Sequence, residues 1–223
     1  MAQQVEAHMS LTLDGFGTGF NQSLTKPFGD ADGEALHRWL FEDAGNNRAE
    51  IDKVTAYGAF IMGRNMFGVG DGPIDPNWKG WWGPNPPYHA PVYVLTHYAR
   101  PTLDMEGGTS FHFITEGPDI ALELARQAAG SRNVAIAGGV STLRHYLNTA
   151  QVDRFHLSLT SLLFGAGERL WDGLEAELRA VSARHTTYAT HIEYVPARYA
   201  ALGKPRASSS AKAKGTPSMA LAR

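Results

Sequence analysis

Two adjacent glycines follow a short apolar run, and they are the residues of this sequence best placed to bind a ligand. The run from Val134 to Ala137 is bounded by turn residues, which is typical of a parallel strand that is buried on both faces. After Gly138 and Gly139, apolar residues recur at helical spacing. Glycine permits positive φ and leaves the unpaired N–H groups of the new helix accessible. Such a helix start attracts phosphate or pyrophosphate.

A second turn of this kind follows another apolar run, from Tyr57 to Met62, and has a cation beside its glycine. Gly63 and Arg64 form this turn. A tight connection from strand to helix also needs glycine for packing, so the residues alone leave both interpretations of Gly138 and Gly139 open. Neither turn has the spacing of the dinucleotide fingerprint or of the P-loop. Two strand-to-glycine turns in one chain favour a nucleotide more than one turn does.

Other candidate residues have a structural and a functional interpretation each. Asp14 precedes Gly15, so it is either a turn residue that binds its own backbone or an acid. Trp82 and Tyr88 belong to a long loop rich in Gly, Pro and Trp, where they either fill the core or form a substrate wall. The nine histidines, among them those of ordinary alternating strands, predict no metal site.

Composition excludes several classes of function. The net charge of −2 comes from scattered residues, so there is no basic footprint for nucleic acid or for an anionic membrane. No apolar segment approaches the roughly 20 residues that cross a bilayer, and no secretory leader is visible, so we expect a cytoplasmic protein. The absence of cysteine removes disulfides, thiolate catalysis and cysteine-based zinc sites. Any redox chemistry must come from a bound cofactor.

The remaining pattern predicts an α/β domain over residues 1–196, followed by a disordered tail at 197–223 with little to bury. The tail is rich in Ala, Ser, Lys, Gly and Pro. The predicted strands are 5–13, 57–62, 91–96, 111–115, 134–137, 152–163, 178–183 and 187–194. The predicted helices begin near Gly33 or Glu34, at Asp119 and at Val140. Residues 14–19 are predicted to form an irregular, glycine-rich loop.

Five segments, in this order, resemble the dihydrofolate-reductase-like superfamily, and specifically stand-alone relatives of the riboflavin-biosynthesis reductase (RibD C-terminal) domain. The similarity covers roughly residues 5–195. Its segments are Met9-Ser10-Leu11-Thr12-Leu13-Asp14-Gly15-Phe16, Ile61-Met62-Gly63-Arg64-Asn65-Met66-Phe67, Val94-Leu95-Thr96-His97, Ala137-Gly138-Gly139-Val140-Ser141-Thr142-Leu143 and Leu163-Phe164-Gly165-Ala166-Gly167-Glu168-Arg169-Leu170.

The resemblance implies a three-layer fold with a mostly parallel central sheet flanked by helices, and NADPH lying across the carboxyl ends of its strands. It also allows a homodimer. It assigns to the pyrophosphate and its surroundings Gly63, Arg64, Asn65, Gly138, Gly139, Val140, Ser141 and Thr142. It assigns Thr96 and His97 to the adenosine 2′-phosphate, and it assigns Gly15, Phe16 and Gly17 to the nicotinamide. Asp14 is the candidate acid, and Trp82 and Tyr88 are the candidate substrate contacts.

The sequence departs from dihydrofolate reductases at two positions. Met66 stands where those enzymes carry a threonine that contacts phosphate, and Leu36, with Glu34 nearby, falls where they carry a carboxylate. We therefore expect a different substrate, with hydride passing from NADPH to a flat conjugated heterocycle of pterin or pyrimidine type. The alternative is a nucleotide-binding protein that keeps the fold without turnover.

Overall fold

The structure is a computed structural model that describes residues 2–70 and 72–197. Its strands are β1 Val5–Leu11, β2 Phe16–Thr18, β3 Ala59–Gly63, β4 Pro91–Leu95, β5 Leu103–Asp104, β6 Ser110–Ile114, β7 Val134–Gly138, β8 Arg154–Thr160, β9 Glu168–Arg169, β10 Glu177–His185 and β11 Ala189–Ala197. Its α-helices are α1 Gly33–Leu36, α2 Arg38–Phe41, α3 Arg48–Val54, α4 Arg64–Phe67, α5 Pro118–Ala129 and α6 Val140–Asn148. The predicted tail lies outside the described residues from residue 198 onward.

Nine strands form the main sheet, in the order β10-β11-β8-β1-β7-β3-β4-β6-β5. The six central strands, from β8 to β6, run parallel, and antiparallel strands complete both edges. The prediction of an α/β fold with a mostly parallel sheet flanked by helices is confirmed. No helix within the described residues is both long and apolar enough to cross a bilayer.

One face of this sheet packs on the two long helices. Alternate residues of the central strands, such as Ala7, Ile61 and Ile136, join apolar side chains of α5 and α6 in one buried cluster. Tyr146 of α6 is fully buried there, and its hydroxyl donates to the Pro118 carbonyl at the start of α5. This core fixes the end of β7 and the start of α6, where the predicted phosphate turn lies.

The opposite face changes character across the sheet. On β3, β4 and β6 it is aromatic and aliphatic, and the loop that precedes β4 covers it. On β1, β8 and β11 it is polar, and the segment from α1 to α3 covers part of it. Ala135 and Ala137 of β7 lie between the two halves. Small side chains at this boundary leave room for a cleft.

Several local predictions are corrected. The helix expected near Gly33 is two single turns, α1 and α2, separated at His37, whose φ of −113° is not helical. The irregular loop expected at 14–19 contains β2, which pairs with β9. The short helices α3 and α4 and the edge strand β5 were not predicted. The last strand, β11, extends to Ala197, one residue beyond the predicted domain boundary.

Candidate active site

A large cleft opens where the carboxyl ends of β1, β7, β3 and β4 meet. Its volume is about 1600 Å³, which exceeds the roughly 300–1,000 Å³ of a pocket for one drug-sized molecule. Its lining includes most of the predicted site residues, namely Gly17, Gly63, Arg64, Asn65, Trp82, Tyr88, Thr96, His97, Gly138, Gly139, Val140, Ser141 and Thr142. Asp14, Gly15 and Phe16 are not among the lining residues. The cleft therefore brings together residues from five segments of the sequence.

The turn between β7 and α6 leaves the start of the helix open to the cleft. Gly138 has φ of 130°, as predicted, whereas Gly139 has φ of −77°, so the expectation of positive φ is wrong for Gly139. A cis peptide bond joins the two glycines. Gly139 caps α6 without a side-chain hydrogen bond, and a Cβ atom added to it would have no heavy atom within 4 Å. The unpaired N–H groups of the first helical turn thus face free space.

The second glycine turn contacts the first. A Cβ atom on Gly63 would lie 2.5 Å from Thr142 Oγ1 and 3.6 Å from the Gly139 nitrogen. Gly63 is therefore required for close packing of β3 on the start of α6. This contact places the cation that follows Gly63 beside the same cleft.

The Arg64 guanidinium contacts two loops, the one that follows α4 and the one that follows β4. Its two terminal nitrogens donate to the carbonyls of Gly70 and Gly72, and its Cζ lies 5.8 Å from the Tyr98 ring centroid. Its Nε is buried and has no hydrogen-bond partner among the described residues. Arg64 as a residue lines the cleft, so its positive charge suits an anionic ligand there.

Thr96 and His97 directly follow β4 and line the cleft. The Thr96 hydroxyl accepts a hydrogen bond of 3.1 Å from the Tyr98 N–H, and the His97 side chain is exposed. Their predicted contact with an adenosine 2′-phosphate stays a prediction.

Strand β2 contributes Gly17 and Thr18 to the cleft. A Cβ on Gly17 would lie 2.7 Å from Val140 Cγ2, so β2 packs directly on the start of α6. Gly15 faces elsewhere, because with φ of 88° its Cβ would lie 2.3 Å from Trp171 Nε1. Phe16 pairs with Arg169 across the β2–β9 ribbon. Gly15 and Phe16 are thus explained by packing and pairing.

Asp14 holds the loop that follows β8. Its carboxylate accepts hydrogen bonds from the N–H groups of Phe164 and Gly165 at 3.3 and 2.8 Å, and from the Thr12 hydroxyl. Desolvation raises the pKa of Asp14, but these hydrogen bonds together outweigh it and lower the pKa below its usual value. A carboxylate that stays ionised and outside the cleft lining has the geometry of the turn residue rather than of the proton donor.

Trp82 and Tyr88 belong to the aromatic half of the second sheet face, which is the face opposite to α5 and α6. The Trp82 ring stacks on Phe111 at 5.6 Å between centroids, and Tyr88 packs edge-on against Phe60 at 4.9 Å. Burial raises the pKa of the Tyr88 hydroxyl. Both residues also line the cleft, so their predicted contact with substrate stays a prediction.

The sequence analysis missed a polar wall of the cleft. We use this name for His8 and Ser10 of β1 with His156 and Ser158 of β8, which all line the cleft. The strand register places His8 beside His156 and Ser10 beside Ser158. The alternation along β8 predicted that one face of this strand is covered. It could not show that the other face lines a cleft beside β1, because the two strands are about 150 positions apart in the sequence.

Buried partners orient the serine row of the polar wall. The Trp39 indole N–H donates to Ser10 Oγ at 3.1 Å. Ser158 Oγ lies 3.0 Å from His191 Nδ1, and His191 Nε2 lies 2.7 Å from Asn47 Oδ1. Burial lowers the pKa of His191, which favours the neutral ring. Neutral His191 therefore donates a hydrogen bond from Nε2 to Asn47 Oδ1 and accepts a hydrogen bond at Nδ1 from the Ser158 hydroxyl.

A carboxylate lies behind the histidine row. Glu6 accepts hydrogen bonds from His156 Nε2 at 2.8 Å, from the Tyr57 hydroxyl at 2.9 Å and from Asn133 Nδ2 at 2.7 Å. Desolvation raises the pKa of Glu6, but these three hydrogen bonds together lower it to about 2. Desolvation lowers the pKa of His8 to about 3, so its ring is neutral near pH 7.

Glu6, His8 and His156 also bring three ligand-type atoms within 4.8 Å of one another. A carboxylate with two imidazoles is a known donor set for divalent metals. The expectation that the chain binds no metal stays a prediction.

The sequence matches one known protein family over most of its length. The family model described as the RibD C-terminal domain matches residues 3–194. A search among curated proteins finds no match.

Similar solved structures share the fold at low identity. A protein assigned to riboflavin biosynthesis from Shewanella sp. PV-4 has a TM-score of 0.59 at 19% identity, covering 88% of this chain and 100% of that one. The riboflavin biosynthesis reductase Rib7 of Saccharomyces cerevisiae has a TM-score of 0.55 at 10% identity, covering 88% and 90%. RibD of Acinetobacter baumannii has a TM-score of 0.55 at 13% identity, covering 88% of this chain but 58% of that one.

Proposed function

The chain belongs to the RibD C-terminal domain family, and we propose that it is a reductase that transfers hydride from NADPH to a flat conjugated heterocycle of pterin or pyrimidine type. The observation that carries the proposal is the contact between the Gly63 turn and the Gly139 turn at the mouth of one cleft. Two strand-to-helix turns that meet around free space form a cradle for a pyrophosphate.

The residues of the cleft fit the phosphate groups of this cofactor. The open start of α6 at Gly139 supplies N–H donors, and the Arg64 side chain, which lines the cleft, supplies a positive charge nearby. Arg64 lies over Tyr98, in the loop that begins with Thr96 and His97. This position supports a contact with the adenosine 2′-phosphate, and hence a preference for NADPH over NADH. When bound, the cofactor supplies the hydride, and the protein supplies orientation.

The heterocycle is proposed to lie between the two halves of the second sheet face. The aromatic half, with Trp82 and Tyr88, offers flat apolar contact, and the polar wall offers hydrogen-bond donors and acceptors. A flat ring with several N–H and carbonyl groups satisfies both. Rib7, a reductase of riboflavin biosynthesis, shares the fold, which agrees with this substrate class.

A second candidate function is nucleotide binding without turnover. One observation favours it: Leu36 is fully buried, and Asp14 is occupied by backbone hydrogen bonds, so neither position supplies a proton donor to the cleft. A cytoplasmic location, a homodimer and a single domain over residues 1–196 remain predictions.

The test is the oxidation of NADPH by the full chain, followed through the absorbance of the reduced nicotinamide. The substrates are dihydrofolate and 5-amino-6-(5-phosphoribosylamino)uracil, each with NADPH and with NADH, after both cofactors have been titrated without substrate. We expect NADPH to bind more tightly than NADH and one of the two substrates to be reduced. Tight NADPH binding without any reduction would favour the second candidate, and no binding of either cofactor would contradict both.

A further inference from the structure

We propose that His156, held by Glu6, donates the proton that accompanies hydride transfer; this inference rests on the proposed function. Reduction of a C=N bond by hydride needs a proton at nitrogen. Asp14 is not among the cleft-lining residues, and Glu34 lines the cleft only with an exposed side chain on the short helix α1. His156 lines the cleft on the same polar wall that is proposed to contact the heterocycle. It is therefore placed where a proton is needed.

The hydrogen bonds around Glu6 fix which nitrogen of His156 is bonded to the carboxylate and which is left without a protein partner. An ionised carboxylate only accepts hydrogen bonds, so His156 Nε2, at 2.8 Å from Glu6 Oε2, carries a proton. A second proton on the ring must then sit on Nδ1. Within the described residues Nδ1 makes no hydrogen bond, so it is available to a ligand. The imidazolium form is paired with a carboxylate that Tyr57 and Asn133 keep ionised.

The protons of the neighbouring pair follow from the same carboxylate. Tyr57 donates its hydroxyl proton to Glu6, so its oxygen accepts from His8 Nε2. His8 is then a neutral ring with an N–H at Nε2, and it stacks on His156 with 4.5 Å between centroids and an angle of 11°. A neutral neighbour stacks without charge repulsion, whereas a second imidazolium would oppose protonation of His156. His8 and Tyr57 are positioning residues in this arrangement.

The step balances in atoms and charge. When bound, NADPH would supply the hydride, with its electron pair, that forms the C–H bond at the carbon of the C=N group. The π electron pair moves to nitrogen, which takes the proton from His156 Nδ1. The products are NADP⁺, a C–H and N–H bond in the substrate, and a neutral His156 that regains its proton from solvent. Glu6 keeps its negative charge throughout.

Further charges near this histidine come from three elements. Glu193 of β11 lies opposite His156 in the strand register and forms an ion pair with Arg154 of β8. Lys53 of α3 acts on His8 through its charge. Glu6 is the carboxylate that hydrogen-bonds directly to the His156 ring.

The same atoms make metal binding a competing interpretation. A divalent ion would need the lone pairs of His8 Nε2 and His156 Nε2, but both nitrogens already donate hydrogen bonds, and Glu6 already accepts three. The nearly parallel rings also direct their in-plane lone pairs side by side rather than toward one point. The network is complete without an ion, which favours proton transfer.

The experiment compares the parent chain with His156→Gln, Glu6→Gln and Tyr57→Phe, with dihydrofolate and 5-amino-6-(5-phosphoribosylamino)uracil as substrates. His112→Gln, on β6 outside the polar wall, is the matched control. We expect His156→Gln to lower kcat by at least about 100-fold, in the usual range for loss of a general acid, with NADPH affinity unchanged. Glu6→Gln should lower kcat and move the pH profile. Added imidazole should restore part of the rate of His156→Ala.

Three other results would contradict the proposal, and the remaining variants keep it testable if one of them fails to fold. Unchanged kcat and pH profile in His156→Gln and Glu6→Gln would overturn it and leave the reductase function standing. A parent chain that reduces neither substrate would overturn both. If His156→Gln does not fold, Glu6→Gln and Tyr57→Phe carry the comparison. Tight binding of Zn²⁺ by the parent, lost in Glu6→Gln, would assign the cluster to a metal instead.

Discussion

Gly63 and Gly139 occupy equivalent places after their strands, yet they lack a side chain for different reasons. Gly63 has no room, because a Cβ would meet Thr142 at 2.5 Å. Gly139 has room in the protein and is open toward the cleft. The sequence predicted both turns but could not separate packing from ligand approach, because that difference depends on contacts between β3 and α6.

Gly139→Val should therefore fold and lose the cofactor. Its φ of −77° suits valine, and the added atoms point into the space proposed for the pyrophosphate. We expect the variant to keep the melting temperature of the parent and to bind NADPH at least about 100-fold more weakly. The loss in affinity follows because each charge-assisted hydrogen bond contributes about 1.5–3 kcal/mol. Circular dichroism melting and NADPH titration on one sample measure both.

Gly63→Ala is the matched control for this variant. It should lower the melting temperature because β3 can no longer pack on α6. A Gly139→Val protein that binds NADPH as tightly as the parent would remove this turn from the cofactor site.

At the scale of elements, the long regular segments were predictable and the short ones were not. The helical spacing of apolar residues identified α5 and α6, whose buried faces pack on the sheet. The helix α3 buries none of its residues, so its sequence carries no amphipathic signal. The ribbon of β2 and β9 joins three residues to two others about 150 positions away. Pairing of that kind depends on the folded core.

Gly15→Ala tests the position of this ribbon. Gly15 has φ of 88° and lies against Trp171, so alanine meets both backbone strain and a clash. We expect a loss of stability greater than the roughly 1–2 kcal/mol of a left-handed alanine alone, with unchanged NADPH affinity. Gly173→Ala, with φ of 73° and open space, reports the strain without the clash. Equal losses in the two variants, or weaker NADPH binding by Gly15→Ala, would contradict this assignment.

At the scale of the whole molecule, one sheet face serves two purposes. Its aromatic half is held by the loop before β4, whereas its polar half collects buried and partly buried histidines and partly buried carboxylates from β1, β8 and β11. Alternation in the sequence identified the polar positions of β8. It could not show that Glu6, His8 and His156 meet, because the β1–β8 register joins residues from opposite ends of the domain.

This half of the sheet makes stability depend on pH in one direction. Burial lowers the pKa of His8 from 6.5 to about 3, so the unfolded chain binds a proton between these values that the folded chain does not. The pKa of Glu6, lowered from 4.5 to about 2, acts in the same sense below pH 4.5. Stability therefore falls as pH falls, first through His8 and then through Glu6. Burial lowers the pKa values of His37 and His191, which add to the first part.

Urea unfolding of the parent and of His8→Gln at pH 7 and pH 4.5 isolates the contribution of His8. The parent should lose more stability than the variant on acidification, by on the order of 2 kcal/mol, since each pH unit between the two pKa values of one group contributes about 1.4 kcal/mol. Glutamine keeps a side-chain N–H for the Tyr57 hydroxyl but cannot be protonated. His185→Gln, at an exposed position of β10, is the control and should follow the parent. If His8→Gln follows the parent as well, His8 is accessible to protons in the folded state, and the neutral, stacked ring beside His156 is wrong.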